Sequence, residues 1–174
     1  MATNTQYKNS VSTWLFSDED RLRELYNAIS GSNYGAETPL VINTLEGALF
    51  MDRINDLSFT LGDKLVILIE HQSTVNQNMP LRFLLYIGRI YEKIIRNRAL
   101  YATGLVKIPR PEFIVLYNGQ RDQPDEQNLR LSDAFREAFP GEGSALELCV
   151  RVLNVNQGRN REIMRRSGNL EGYA

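Results

Sequence analysis

The chain has 174 residues and a formal net charge of −1, and 43% of its residues are hydrophobic and 24% charged. This length predicts a single domain, residues 1–174, with one core. The one cysteine excludes an internal disulfide and a cysteine-based zinc site. The N-terminal sequence lacks the apolar segment of a signal peptide, and no apolar run approaches the ~20 residues of a membrane helix. We therefore expect a cytoplasmic protein with no membrane partner.

Positive charge is concentrated in one part of the chain. Residues 1–81 contain five Lys and Arg residues against ten Asp and Glu residues, whereas residues 82–110 contain seven against Glu92 alone. A local excess of positive charge is typical of a surface that binds a polyanion. The net charge argues against a nucleic-acid partner, but the local excess of positive charge is compatible with DNA as a partner.

The first predicted element is a helix over residues 18–30. Asp18, Glu19 and Asp20 precede apolar residues at helical spacing, and Gly31 follows the last of them. Acidic residues favour the first turn of a helix, and glycine is common directly after its end.

Three strand candidates come next. The first is 40–45 or 48–52, the second is 56–61 and the third is 65–72. The last two are close enough in sequence to form a hairpin around the turn residues 62–64.

The second half alternates helices and strands. A long amphipathic helix is predicted over 79–98, with Pro80 in its first turn. The later elements are a buried strand at 113–117, a short helix at 131–139, a strand at 146–155 that buries Cys149, and a helix that starts at 161. This order predicts a mixed sheet covered by helices.

Polar residues at the ends of the two hairpin strands are the candidate site. Because side chains alternate along a strand, Glu70 and Gln72 are expected on one face and His71 on the other. If Asp56 pairs with Glu70, two carboxylates meet within roughly 5 Å and repel unless a cation lies between them. Oxygen ligands of this kind suit Mg²⁺. We predict this pairing, with Leu61 opposite Leu65; a two-residue turn would shift it by one position.

Five segments carry a resemblance that spans nearly the whole chain. They are NDLSF, LIEHQS, MPLRFLLYIGRIYEKII, PEFIVLYNG and ALELCVRVLNVNQGRN, in this order. In this order they resemble the recombination-promoting nuclease/putative transposase family of the PD-(D/E)XK nuclease superfamily. The resemblance implies an α/β, restriction-endonuclease-like fold, with a mixed central sheet, flanking helices and an αβββαβ core. Family members usually continue beyond the point that corresponds to residue 174, which leaves open whether a C-terminal region is missing.

The resemblance also implies an activity and a set of roles. The activity is Mg²⁺-dependent DNA endonuclease cleavage with little sequence specificity, with Mn²⁺ as a substitute ion. Asp56 is the motif Asp, Glu70 is the motif Glu, and both bind the metal together with the backbone carbonyl of His71. Gln72 occupies the position of the motif Lys and orients the water or the phosphate. An amide cannot act as a general base, so water activation is expected to depend on the metal.

Basic residues on the long helix form the candidate nucleic-acid surface. They are spaced so that they share one ridge with an aromatic residue: Arg82, Tyr86, Arg89, Lys93 and Arg96. Such a ridge could follow a phosphate backbone, with Arg82 and Tyr86 nearest the acidic residues, but a solvated helix face explains the pattern equally well. Two alternatives to a nuclease remain, namely a catalytically silent nucleic-acid-binding module and a protein-interaction domain. A homo-oligomer is compatible with the sequence but is not predicted by it.

Overall fold

The computed structural model describes residues 18–43, 56–72, 74–95, 100–137 and 144–168, and for Asp56 and residues 67–72 the description is confined to the main chain. Within these residues the chain forms three α-helices, one 3-10 helix and a mixed six-stranded sheet. The helices are α1 (Glu19–Ser30), α2 (Met79–Ile94) and α3 (Arg161–Arg166), and the 3-10 helix is Leu131–Ala134. The strands are β1 (Leu40–Ile42), β2 (Asp56–Leu61), β3 (Lys64–Gln72), β4 (Arg110–Tyr117), β5 (Glu126–Arg130) and β6 (Cys149–Asn154).

The strands lie in the order β1-β2-β3-β4-β6-β5. β3, β4 and β6 are parallel to one another, whereas β1, β2 and β5 pair antiparallel to their neighbours. The last residues of the three parallel strands therefore lie side by side, with Gln72 paired to Tyr117 and Tyr117 paired to Asn154. We call this the carboxyl end of the sheet. The antiparallel strand β2 begins there, at Asp56.

Helix α1 has the limits that its capping residues predict. The side chain of Asp18 accepts hydrogen bonds from the backbone amides of Asp20 (2.9 Å) and Arg21 (3.1 Å). Gly31 ends the helix with φ of 71°, a left-handed conformation that glycine adopts at little cost. The predicted helix over 18–30 is confirmed.

Helices cover both faces of the sheet. One core forms where α1 packs on the sheet, and it includes residues of β1, β2 and α3. The other core forms between α2 and the opposite face of the sheet. The buried side chains of α2 are Met79, Pro80, Phe83, Tyr86, Ile87 and Ile90, which recur at the helical period and face one side. The predicted mixed sheet with helical layers is confirmed.

The β2–β3 hairpin differs from its predicted register. Leu61 pairs with Lys64, so the turn has two residues and not three, and Asp56 pairs with Ile69 and not with Glu70. Gly62 has φ of 56° at the first turn position, where a type II′ turn requires glycine. The prediction of Leu61 opposite Leu65 is therefore wrong, because the sequence supports both loops and the shorter one forms.

Other element predictions are partly correct. β5 was not predicted. Of the helix expected over 131–139, the described part up to residue 137 forms only the short 3-10 helix, since Phe135 is already extended. The predicted burial of Cys149 is wrong, because Cys149 is the first residue of β6 and is exposed there, whereas the buried part of the strand begins at Val150. The second candidate for β1, residues 48–52, lies outside the described residues.

Candidate functional site

The main chains of the predicted metal ligands lie together at the carboxyl end of the sheet. Asp56 is the first residue of β2 and pairs with Ile69, the residue that precedes Glu70 on β3. Neighbouring strands are ~5 Å apart, so the backbones of Asp56 and Glu70 are close diagonal neighbours. His71 and Gln72 complete the same strand.

β3 is irregular over the candidate residues. From Ile69 to Gln72 the strand advances three residues, while the paired residues of β4, Val115 and Tyr117, are two apart. One extra residue is therefore accommodated at Glu70–His71, as in a β-bulge. Positions 69 and 72 both lie on the face of Asp56, so the strict alternation that predicted Glu70 and Gln72 on one face is wrong for this backbone. The register pairs Asp56 with Ile69, so the predicted shared face of Asp56 and Glu70 does not follow from it.

The backbone positions of Asp56 and Gln72 both lie on the face of the sheet that packs against α2. Position 72 pairs with Tyr117, which is fully buried in the core beneath α2. Position 56 is two residues before Ser58, and Tyr86 of α2 donates a hydrogen bond to the Ser58 hydroxyl over 3.4 Å. Paired residues, and residues two apart on a regular strand, share a face.

The donor set fits a hard cation such as Mg²⁺. The predicted ligands Asp56, Glu70 and the His71 carbonyl offer only oxygen atoms, which Mg²⁺ prefers. Among the residues whose side chains are described, no group of three or more His, Cys, Asp or Glu residues could hold a metal ion.

Asparagine side chains form hydrogen bonds that link two loops at the carboxyl end of the sheet. Asn154 is 2% exposed, and its amide donates to the carbonyl of Gln123 over 2.9 Å. Asn156 donates to the carbonyl of Gly119 over 3.0 Å, and Asn160 donates to that of Asn154 over 2.9 Å. Buried amides with satisfied hydrogen bonds hold a single loop conformation. The loops after β4 and β6 thus form one unit, which we call the loop pair (residues 118–125 and 155–160).

Acidic residues of the loop pair are neutralised within it. Arg159 forms ion pairs with Asp122 and, over 3.2 Å, with Asp125. At the neighbouring start of β5, Glu126 binds Arg151 through two hydrogen bonds of 2.8 and 2.9 Å. These hydrogen bonds hold the pKa of Glu126 below its ordinary value.

The predicted basic ridge on α2 is only partly exposed. Arg89 and Lys93 are exposed and Arg82 is half-buried, with its guanidinium 3.6 Å from the sulfur of Met79. Tyr86 is 6% exposed and belongs to the core, so its predicted position on an exposed ridge is wrong. The position of Tyr86 lies at the boundary between the basic ridge and the apolar stripe of α2, so its spacing fits both. Arg96 lies outside the described residues.

At the opposite end of the sheet, a charged network that the sequence reasoning missed joins α1 to β3 and β4. Tyr26 donates to Glu112 over 2.6 Å, and the ammonium of Lys64 donates to the Tyr26 hydroxyl over 2.8 Å. Arg110 also donates to Glu112 over 2.6 Å, and Lys64 lies 5.5 Å from the ring centroid of Tyr34. The available signal was that Lys64 and Glu112 each directly precede a predicted strand, which carries information only once those strands are known to be parallel neighbours.

The network shifts the acidity of its members. Burial raises the pKa of Glu112, but hydrogen bonds from Tyr26 and Arg110 and the charge of Lys64 outweigh it, so the pKa lies below its ordinary value. The hydrogen bond to Tyr26 is the main cause that raises the pKa of Lys64. Both groups therefore stay charged at neutral pH, and the network is a structural ion pair without a group ready to exchange protons.

No helix among the described residues is long and apolar enough to cross a membrane.

Comparison with other proteins gives no further information about the site. No protein-family model, curated protein or solved structure matches this chain.

Proposed function

We propose that the chain is a cytoplasmic, Mg²⁺-dependent DNA endonuclease of low sequence specificity, related to the recombination-promoting nucleases of the PD-(D/E)XK superfamily. One observation carries the proposal: Asp56 begins β2 beside the segment of β3 that contains Glu70 and Gln72. The order α1-β1-β2-β3-α2-β4, with β3 parallel to β4, agrees with the αβββαβ core that the resemblance implies. This order supports a restriction-endonuclease-like core as part of the proposal.

Asp56, Glu70 and the carbonyl of His71 would hold the ion in this proposal. Bound Mg²⁺ would supply a more acidic water and would stabilise negative charge on the phosphate. In the hydrolysis, the water oxygen bonds to phosphorus and one phosphorus–oxygen ester bond breaks. The leaving oxygen takes up a proton and becomes a hydroxyl, and the other product keeps the phosphate. Gln72 can orient the water or the phosphate through its amide but cannot accept the proton.

Substrate binding would depend on positive charge near this end of the sheet. Arg82 lies in the first turn of α2, which starts seven residues after β3 ends. Arg89 and Lys93 are exposed further along the same helix, toward the end of the sheet where β4 starts. Contacts to phosphates along a helix do not read base sequence. Low sequence specificity follows from binding of this kind.

A catalytically silent nucleic-acid-binding module is the second candidate, and Gln72 is the observation that favours it. An uncharged amide at the position of the motif Lys removes both a cation and a proton carrier. A module of this kind would bind DNA with the same salt dependence but would not cleave it. A protein-interaction domain would do neither.

The decisive experiment is incubation of supercoiled plasmid with the purified chain, with and without Mg²⁺. The test variants are Asp56→Asn and Glu70→Gln, which remove a charge while keeping the size of the side chain. The control is Asp63→Asn, because Asp63 is exposed in the hairpin turn at the far end of the same two strands. The expected result is Mg²⁺-dependent nicking by the parent and the control, and none by the test variants.

Each contrary outcome of this experiment has a definite meaning. DNA binding by the parent without any Mg²⁺-dependent nicking would favour the silent module. Absence of both binding and nicking would favour the interaction domain. Nicking by Asp56→Asn at the rate of the parent would remove Asp56 from the site.

A further inference from the structure

Arg121 lies in the loop pair at the carboxyl end of the sheet, and it differs from two nearby arginines in how its charge is paired among the described residues. The neighbouring arginines Arg151 and Arg159 each bind acidic side chains. Arg121 is exposed, and among the described side chains none forms a hydrogen bond or an ion pair with its guanidinium. An arginine with this freedom can bind an incoming anion without first breaking an internal ion pair.

The backbone of Arg121 is nevertheless fixed. Tyr117 is fully buried, and its hydroxyl donates to the carbonyl of Arg121 over 2.8 Å. Tyr117 packs on the side of the sheet that α2 covers, so residues 118–121 fold back over that side. The hydrogen bonds of Asn154 and Asn156 hold the rest of the loop pair. The side chain of Arg121 therefore starts from a rigid base.

The same tyrosine connects Arg121 to the candidate site. Tyr117 is the backbone partner of Gln72, and the position of Asp56 lies on the same side of the sheet. Neighbouring strands are ~5 Å apart. The backbone of Arg121 is therefore separated from position 72 by the spacing of two strands and the length of one tyrosine side chain. The nearest acid along the chain, Asp122, already pairs with Arg159 and does not cancel the charge of Arg121.

We infer that Arg121 binds a phosphate of the substrate at the carboxyl end of the sheet and supplies there the positive charge that Gln72 lacks. The inference rests on the proposed nuclease function. Guanidinium suits this role because its planar donors match two phosphate oxygens at once. A cation directed at the reacting phosphate stabilises the charge that develops during hydrolysis, while a contact to a neighbouring phosphate only positions the strand.

The test compares Arg121→Gln and Arg121→Lys with a control, Arg136→Gln. Arg136 is also exposed, but it follows β5 at the other end of the sheet. Two measurements are made on each protein, namely DNA binding without metal over a range of salt concentrations, and plasmid cleavage in Mg²⁺ with kcat and KM determined separately. Arg121→Gln should flatten the log–log salt dependence of binding by about 0.9, the value for one lost phosphate contact.

The cleavage measurement separates positioning from stabilisation of the transition state. Arg121→Gln should lower kcat by about 10²–10³-fold, as expected when one preorganised donor is lost from a reacting group. Arg121→Lys should restore the salt slope but only part of kcat, since ammonium lacks the paired donors. A salt slope and kcat of Arg121→Gln equal to those of Arg136→Gln would overturn the inference. Absence of cleavage by the parent itself would instead overturn the proposed function, and the salt slope would then decide whether Arg121 contacts phosphate.

Discussion

The hydroxyl of Tyr26 on α1 donates a 2.6 Å hydrogen bond to Glu112 on β4, and the same hydroxyl accepts one from Lys64 on β3. Tyr26 is 1% exposed, so one buried oxygen joins a helix to two parallel strands. These contacts anchor α1 to the sheet far from the candidate site. Changes in this network should therefore alter stability without altering DNA cleavage.

Glu112→Gln tests the network. The variant should lower the free energy of unfolding at pH 7 by about 1–3 kcal/mol, because Lys64 and Tyr26 lose a charged acceptor. The pKa of Glu112 is lowered by folding, so its contribution is present above the unfolded value of 4.5 and is lost as the pH falls through the folded value. Urea denaturation should therefore give a smaller difference between parent and variant at pH 3 than at pH 7.

A matched control for this prediction is Glu92→Gln. Glu92 is an exposed glutamate on α2, and a change there should alter stability by no more than about 0.5 kcal/mol. A difference between parent and Glu112→Gln that stays constant from pH 7 to pH 3 would show that the charge of Glu112 does not stabilise the fold.

Two glycine substitutions should change stability in opposite directions. Gly62→Ala should destabilise the protein by about 1–2 kcal/mol, because φ of 56° strains any residue with a Cβ. Gly88→Ala should stabilise it by about 0.5–1 kcal/mol, because Gly88 lies within α2 and an added Cβ meets no atom within 4 Å. Chemical denaturation of both variants measures the effects. Equal stability of Gly62→Ala and the parent would contradict the two-residue turn.

The basic residues of α2 predict a salt-dependent interaction. Replacing Arg82, Arg89 and Lys93 together by Gln should weaken DNA binding and flatten its salt dependence by up to about 0.9 per lost phosphate contact. The changes at the exposed Arg89 and Lys93 should each cost under ~0.5 kcal/mol. Arg82 is half-buried, so circular dichroism of the triple variant checks that the fold is retained. A control with three exposed basic residues outside α2 replaced, Lys107, Arg136 and Arg165, should keep the parent slope. Equal salt slopes of DNA binding for the two triple variants would indicate that the ridge is only a solvated helix face.

Asp56→Asn connects the proposed metal site to stability. Without metal, the variant should be at least as stable as the parent, because one of two neighbouring negative charges is removed. Mg²⁺ should raise the melting temperature of the parent, since an ion that binds only the folded state stabilises it, and should raise that of the variant much less. Thermal melts with and without Mg²⁺ measure both effects. A variant that is destabilised and still cleaves DNA would mean that Asp56 is a structural residue.

Local signals predicted the elements that depend on local physics. The cap at Asp18, Gly31 and the apolar stripe of α2 each involve residues a few positions apart, and the corresponding helices form as predicted. β5 was missed because its sequence, EQNLR, contains only one apolar residue, Leu129, and lies at the outer side of the sheet. An outer strand buries too little to show the alternation by which strands are recognised.

The geometry of the candidate site depends on choices that the sequence leaves open. A two-residue and a three-residue turn both fit the residues 62–64, and one position of register separates them. The extra residue at Glu70–His71 is seen only when β3 is aligned with β4, which is about 45 residues away in the chain. The residue types of the site were therefore predictable, whereas their faces were not. The asparagines that fix the loop pair are likewise ordinary loop residues until β4 and β6 are known to be neighbours.

The position of β6 between β4 and β5 has a consequence for synthesis of the protein. β5 leaves the ribosome before β6, yet its partner in the sheet is β6. Until β6 has been synthesised, β5 has no strand partner and the edge of β4 that later binds β6 is unpaired. Unpaired strands of this kind are prone to wrong association. A nascent chain stalled after Leu148 is therefore expected to be cleaved readily by a protease, whereas a chain stalled beyond α3 should be protected. The sheet of the described residues therefore cannot form strand by strand in the order of synthesis, because β6 enters between two strands that are made before it.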